Sequence, residues 1–94
     1  MQLEELRSKY KTAILAIAKK NLAENIRVFG SVARGDAKPS SDIDFLVHLK
    51  PGGSLFELGG LQYELEDLLG CHVDVAPDDA EIFYPGIIQE AIPL

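Results

Sequence analysis

Apolar residues recur at steps of three and four through the first quarter of the chain: Leu3, Leu6, Tyr10, Ala13, Ile14, Ile17, Ala18 and Leu22. That spacing is one stripe of an α-helix, and Lys9, Lys11, Lys19 and Lys20 take the other side. The period then changes. Residues 26–29, IRVF, read as a short strand stopped by Gly30. Residues 31–41 contain Gly35 and Pro39 among polar residues, which predicts a loop with one helical turn at Ser31 to Arg34. Residues 43–49, IDFLVHL, predict a second strand, broken by the KPGG of 50–53.

Ser54 opens the next helix. Glu57 stands three residues on, the spacing of a capping box, in which each side chain satisfies a free backbone N–H at the helix start. Leu58, Leu61, Leu65, Leu68 and Leu69 supply its buried stripe, and Gly70 its C-cap. Gly59 and Gly60 inside such a helix cost about 1 kcal/mol each relative to alanine. They therefore imply either close packing or a late helix start. Residues 71–76, CHVDVA, alternate as a third strand, and Pro85 opens a last short helix, Gly86 to Ala91. The turn-rich loop makes the first two strands antiparallel. The helical crossover makes the second and third parallel and right-handed. The expected fold is α+β (α/β): a small mixed β-sheet with helices packed on one face, in the order helix, strand, turn, strand, helix, strand, helix.

Ninety-four residues predict a single domain, 1–94. The net charge of −6 is uneven: all nine Lys and Arg lie in the first fifty residues, and nine acids follow with no base. That balance argues against a nucleic-acid partner. The charged N-terminus has no apolar signal core, no segment is long enough to span a bilayer, and Cys71 is the single cysteine. A cytoplasmic protein is expected.

The chemistry concentrates in VFGSVARGDAKPSSDIDFLVHL, residues 28–49. Side chains alternate along a strand. Ile43, Phe45, Val47 and Leu49 share an apolar face, so Asp42, Asp44, Leu46 and His48 point the other way. On the third strand Asp74 falls on that same opposite face, with His72 and Ala76. If the two strands are parallel neighbours, Asp42, Asp44 and Asp74 converge. Crowded carboxylates repel one another, and a divalent cation relieves them. Hard oxygen donors suit Mg²⁺, with Mn²⁺ the alternative, and such ions are commonly completed by substrate phosphates. Gly30 permits a sharp turn and close approach of a ligand, and Ser31 opens a turn whose free N–H groups suit an anion. Arg34 and Lys38 either neutralise phosphate charge or, for Arg34, pair with Asp36 or Asp42. His48 and His72 read as surface or rim residues.

GSVARGDAKPSSDID matches Gly-Ser, ten residues, Asp-x-Asp, the pattern of the DNA polymerase β-like nucleotidyltransferase superfamily. GSVARG and SDIDFLV resemble its minimal nucleotidyltransferases, and the likeness extends through HVDV to the closing IIQEAIPL. The resemblance implies nucleotide phosphates at Gly30, Ser31 and Arg34. It implies metals on Asp42, Asp44 and Asp74 (two Mg²⁺ when nucleotide is bound), with Asp74 also helping to deprotonate the attacking hydroxyl. The proteins it most resembles are antitoxins paired with HEPN-domain ribonuclease toxins, which implies AMP transfer from ATP to a toxin tyrosine. Two other readings stand beside it: an antitoxin that silences its partner by binding alone, and nucleotidyl transfer to a small molecule. A chain without a substrate-recognition domain must complete its pocket with a partner or a second copy, so a homo- or hetero-oligomer is expected.

Overall fold

The alternation of helix and strand expected from the sequence is present in the computed structural model, with one strand more. The structure describes residues 1–79 and 86–94. The leading helical segment is made of α1 (Leu3–Glu5), a π-helical stretch Leu6–Tyr10, and α2 (Lys11–Lys20). An unbroken α-helix would set Leu6 and Ile14 about 80° apart around its axis. The wider π turn absorbs that excess, and both side chains end fully buried in the same core.

β1 (Ala23–Phe29) begins three residues before the expected strand. Its pairing slips between Glu24 and Arg27, and Asn25 has φ 51°, so the two-residue alternation fails in its first half. The helical turn at the Gly-Ser motif is α3 (Gly30–Arg34), closed by Gly35 in the left-handed conformation. β2 (Ile43–Leu49) has the predicted bounds. α4 (Leu55–Leu69) starts at Ser54 with the capping box formed on both sides and ends at Gly70. A Cβ on Gly60 would lie 2.8 Å from Asn21 Oδ1, so this glycine lets α4 approach the end of α2 closely; Gly59 faces open space. β3 (Val73–Pro77), α5 (Ile87–Glu90) and β4 (Ile92–Pro93) complete the chain. Pro85, expected to open the last helix, lies outside the described residues.

The strand order is β3-β2-β1-β4. β2 is antiparallel to β1 and parallel to β3, as expected. β4 pairs antiparallel with β1 through Arg27 with Pro93 and Val28 with Ile92. The Arg7 guanidinium holds it in place, donating to the carbonyls of Pro93 at 2.6 Å and Leu94 at 3.2 Å. Helices cover the face carrying Val28, Ile43, Phe45, Val47 and Val73. The opposite face is partly covered too: Leu46 on Asp44's side of β2 is fully buried, and Ile87 of α5 borders the cleft on that side. Among the described residues no helix is long and apolar enough to cross a membrane.

Candidate active site

The parallel register sets Ile43 beside Val73, Asp44 beside Asp74 and Phe45 beside Val75. Because both strands alternate in step, a buried apolar pair (Ile43 and Val73) on one face entails an acidic pair on the other. Asp44 and Asp74 both line an open cleft of about 420 Å³, with Phe29, Gln62, Ala76 and Ile87 among its other walls. Asp42, in the irregular segment just before β2, is exposed. It joins Asp74 from the rim: donor atoms of Asp42, His72 and Asp74 all lie within 4.8 Å of one another.

Gly30 ends β1 and starts α3 with φ +69°. A Cβ there would collide with Asp44 Oδ2, so the bend is held against the carboxylate. Any other residue would displace it. Ser31 follows, half-buried, its carbonyl accepting the Asp36 N–H at 3.0 Å. Arg34, at the far end of α3, is exposed and engaged with acids: Nη1 lies 2.7 Å from Glu90 Oε1 and Nε 3.3 Å from Asp36 Oδ2. Of its two carboxylate partners weighed from sequence, Asp36 is the one found. Glu90, from the distant α5, has no local sequence signal. His48 lies away from the acidic group, its Nδ1 2.9 Å from Asp78 Oδ2.

The electrostatics follow from this crowding. Partial burial first, then Asp74 through its charge and a shared hydrogen bond, then Asp42 and Glu90, push the Asp44 carboxyl up to about 6. Two carboxylates side by side resist ionising together. His72, which the sequence reading leaves without a role, stands at the edge of the group. Desolvation alone would lower its pKa, but Asp74, Asp42 and Glu66 outweigh it and raise it. An acidic cluster with oxygen donors from two strands and one imidazole beside them suits a divalent cation. The strain of the unneutralised cluster, visible in Asp44, is what such an ion would relieve.

Residues 4–92 match the family model described as the nucleotidyltransferase domain. The chain belongs to the nucleotidyltransferase family. Among curated relatives, a candidate protein adenylyltransferase of Methanocaldococcus jannaschii is 43% identical over 75 residues, 80% of this chain and 76% of that protein. Protein adenylyltransferase MntA of Thermococcus cleftensis is 42% identical over 80 residues, again 80% of this chain and 76% of its own length. Among solved structures, one described as a candidate minimal nucleotidyltransferase is 41% identical, with a TM-score of 0.82 over 100% of this chain and 97% of that one. A second, a toxin–antitoxin crystal structure with AMP-PNP, shares the fold at a TM-score of 0.74 and 19% identity, covering 89% of this chain and 71% of that one. This nucleotidyltransferase is therefore an enzyme of nucleotidyl transfer.

Proposed function

We propose that this nucleotidyltransferase moves AMP from ATP to a hydroxyl, a tyrosine, of a HEPN-type ribonuclease toxin and so neutralises it as its antitoxin. The reading is carried by one observation: Asp44 and Asp74 pair across β2 and β3 beside the Gly30 bend. The names of relatives at 42–43% identity supply the protein acceptor. A toxin–antitoxin complex of the same fold, with AMP-PNP in its description, agrees with a nucleotide and a protein partner.

Asp42, Asp44 and Asp74 would hold Mg²⁺ with the nucleotide. The ion, when bound, supplies positive charge to the phosphates and lets all three carboxylates stay ionised. Gly30 and Ser31 would receive the phosphates against the start of α3, with Arg34 at its other end. The acceptor oxygen attacks the α-phosphorus, the bond from that phosphorus to the β-phosphate bridging oxygen breaks, and pyrophosphate leaves. Asp74 would accept the hydroxyl proton, and Phe29 and Ile87 give the open cleft two apolar walls.

The exposed side of α4 would suit a protein partner. Leu55, Phe56 and Tyr63 of α4 are 83%, 85% and 74% exposed. Phe56 and Tyr63, seven residues apart, fall on one side of the helix, and large apolar side chains this exposed favour a protein contact there. The test is incubation with ATP labelled at the α-phosphate and the protein encoded in the adjoining reading frame. Label should appear on a tyrosine of that protein and be lost with Asp42→Asn or Asp44→Asn. A variant that still labels at the wild-type rate defeats the carboxylate mechanism. One that cannot label yet still silences the toxin at equal stoichiometry points to neutralisation by binding alone.

A further inference from the structure

His72 stands between two carboxylates, hydrogen-bonded to one of them. Nδ1 lies 2.8 Å from Glu66 Oε2, and Nε2 lies 3.1 Å from Asp74 Oδ1. Glu66 is itself anchored, its Oε2 accepting the Val73 backbone N–H at 3.1 Å. One turn earlier on α4, Gln62 Nε2 donates to the Val73 carbonyl at 2.8 Å. α4 therefore grips both backbone groups of the first residue of β3. His72, just outside the strand, extends that grip to the side chain of Asp74.

We infer that His72 is a positioning residue, which fixes the Asp74 carboxylate on Glu66 so that Asp74 meets Asp42 and Asp44 in the geometry a divalent cation requires. The inference rests on the acidic site proposed above. Asp74 is 54% exposed at its side chain, and an untethered carboxylate there would sample several rotamers. With Oδ1 held by the imidazole, Oδ2 is left for the site. Partners that hydrogen-bond a metal-ligating side chain typically contribute about 10–100-fold to metal affinity or activity.

The donor atom of His72 lies within 4.8 Å of those of Asp42 and Asp74, so a direct His72–metal bond is the competing arrangement and the test must separate the two. Mn²⁺ is the probe, bound to the whole chain and followed by electron paramagnetic resonance. His72→Ala should weaken Mn²⁺ binding about 10-fold or more and lower kcat for AMP transfer with little change in KM for ATP. His72→Gln, whose amide can still donate to Asp74, should recover most of the loss. Glu66→Gln should weaken binding, and adding it to His72→Ala should cost little more, because the two act as one unit. Wild-type Mn²⁺ affinity and kcat in His72→Ala would overturn the role. So would a nitrogen hyperfine coupling from His72 to the bound Mn²⁺, which would make it a ligand. If Asp44→Asn and Asp74→Asn also bind Mn²⁺ normally, the site itself is wrong and His72 falls with it. If they lose Mn²⁺ while His72→Ala keeps it, only the positioning role fails.

Discussion

Asp44 and Asp74 stand opposite each other in the parallel pairing of β2 and β3, and the Gly30 bend closes on Asp44 from the side of β1. Three strand ends thus define one point. The helical crossover of α4 supplies the parallel pairing. The β1–β2 connection supplies the bend, because Phe29 pairs with Asp44 and the next residue must turn.

The bend predicts the outcome of Gly30→Ala. The new methyl collides with Asp44 Oδ2, and the left-handed backbone adds about 1–2 kcal/mol for a residue with a Cβ. Urea unfolding should show a loss of at least that size, and Mn²⁺ titration a marked loss of affinity. Gly35→Ala, also at positive φ but with open space around it, should lose stability on the same scale and keep its Mn²⁺ affinity.

The raised Asp44 carboxyl predicts the pH dependence of the metal-free protein. Its folded value of about 6 lies above the ordinary 3.8. The protonated form is thus favoured by folding: the contribution is full below pH 4 and is lost as pH rises through 6. His72, also raised, acts in the same direction. Through Asp44, acidification from pH 7.5 to 5 should stabilise the metal-free chain by no more than about 1 kcal/mol, after allowance for solvent screening. Mg²⁺ should raise the melting temperature more at pH 7.5 than at pH 5, because it needs the ionised carboxylates. Denaturation across this range, with and without Mg²⁺, measures both.

The exposed face of α4 predicts a separation of effects. Phe56→Ser combined with Tyr63→Ser removes side chains that are 85% and 74% exposed. Folding stability should change by no more than about 0.5 kcal/mol per site. Affinity for the adjoining-frame protein, by titration calorimetry, should fall about tenfold or more while Mn²⁺ and ATP binding stay at wild-type levels. Unchanged partner affinity would move the contact elsewhere.

Much of this was legible in the residues because the controlling signals are local. The alternation of Ile43 to Leu49 sets which way Asp44 points, and Ser54 with Glu57 marks the start of α4 to the residue. What escaped depends on distant partners. β4 is two residues long, too short for any period, and is held by Arg7 from the other end of the chain. The early start of β1 is hidden by its bulge at Asn25. The π turn leaves no mark in the apolar stripe, since Leu6, Tyr10 and Ile14 fit a four-residue step on paper. His72 looked like any strand-edge histidine until α4 brought Glu66 against it. The strand alternation already puts His72 and Asp74 on one face; the approach of Glu66 is what it does not contain.

The most direct measurement is the rate of AMP transfer by Asp74→Asn, an isosteric change that leaves the fold and the cleft volume intact. With ATP, Mg²⁺ and the adjoining-frame protein, kcat should fall at least about a hundredfold while the circular dichroism spectrum stays that of the wild type. Transfer at the wild-type rate would mean that the acids of β2 and β3 do not act together, whatever their register.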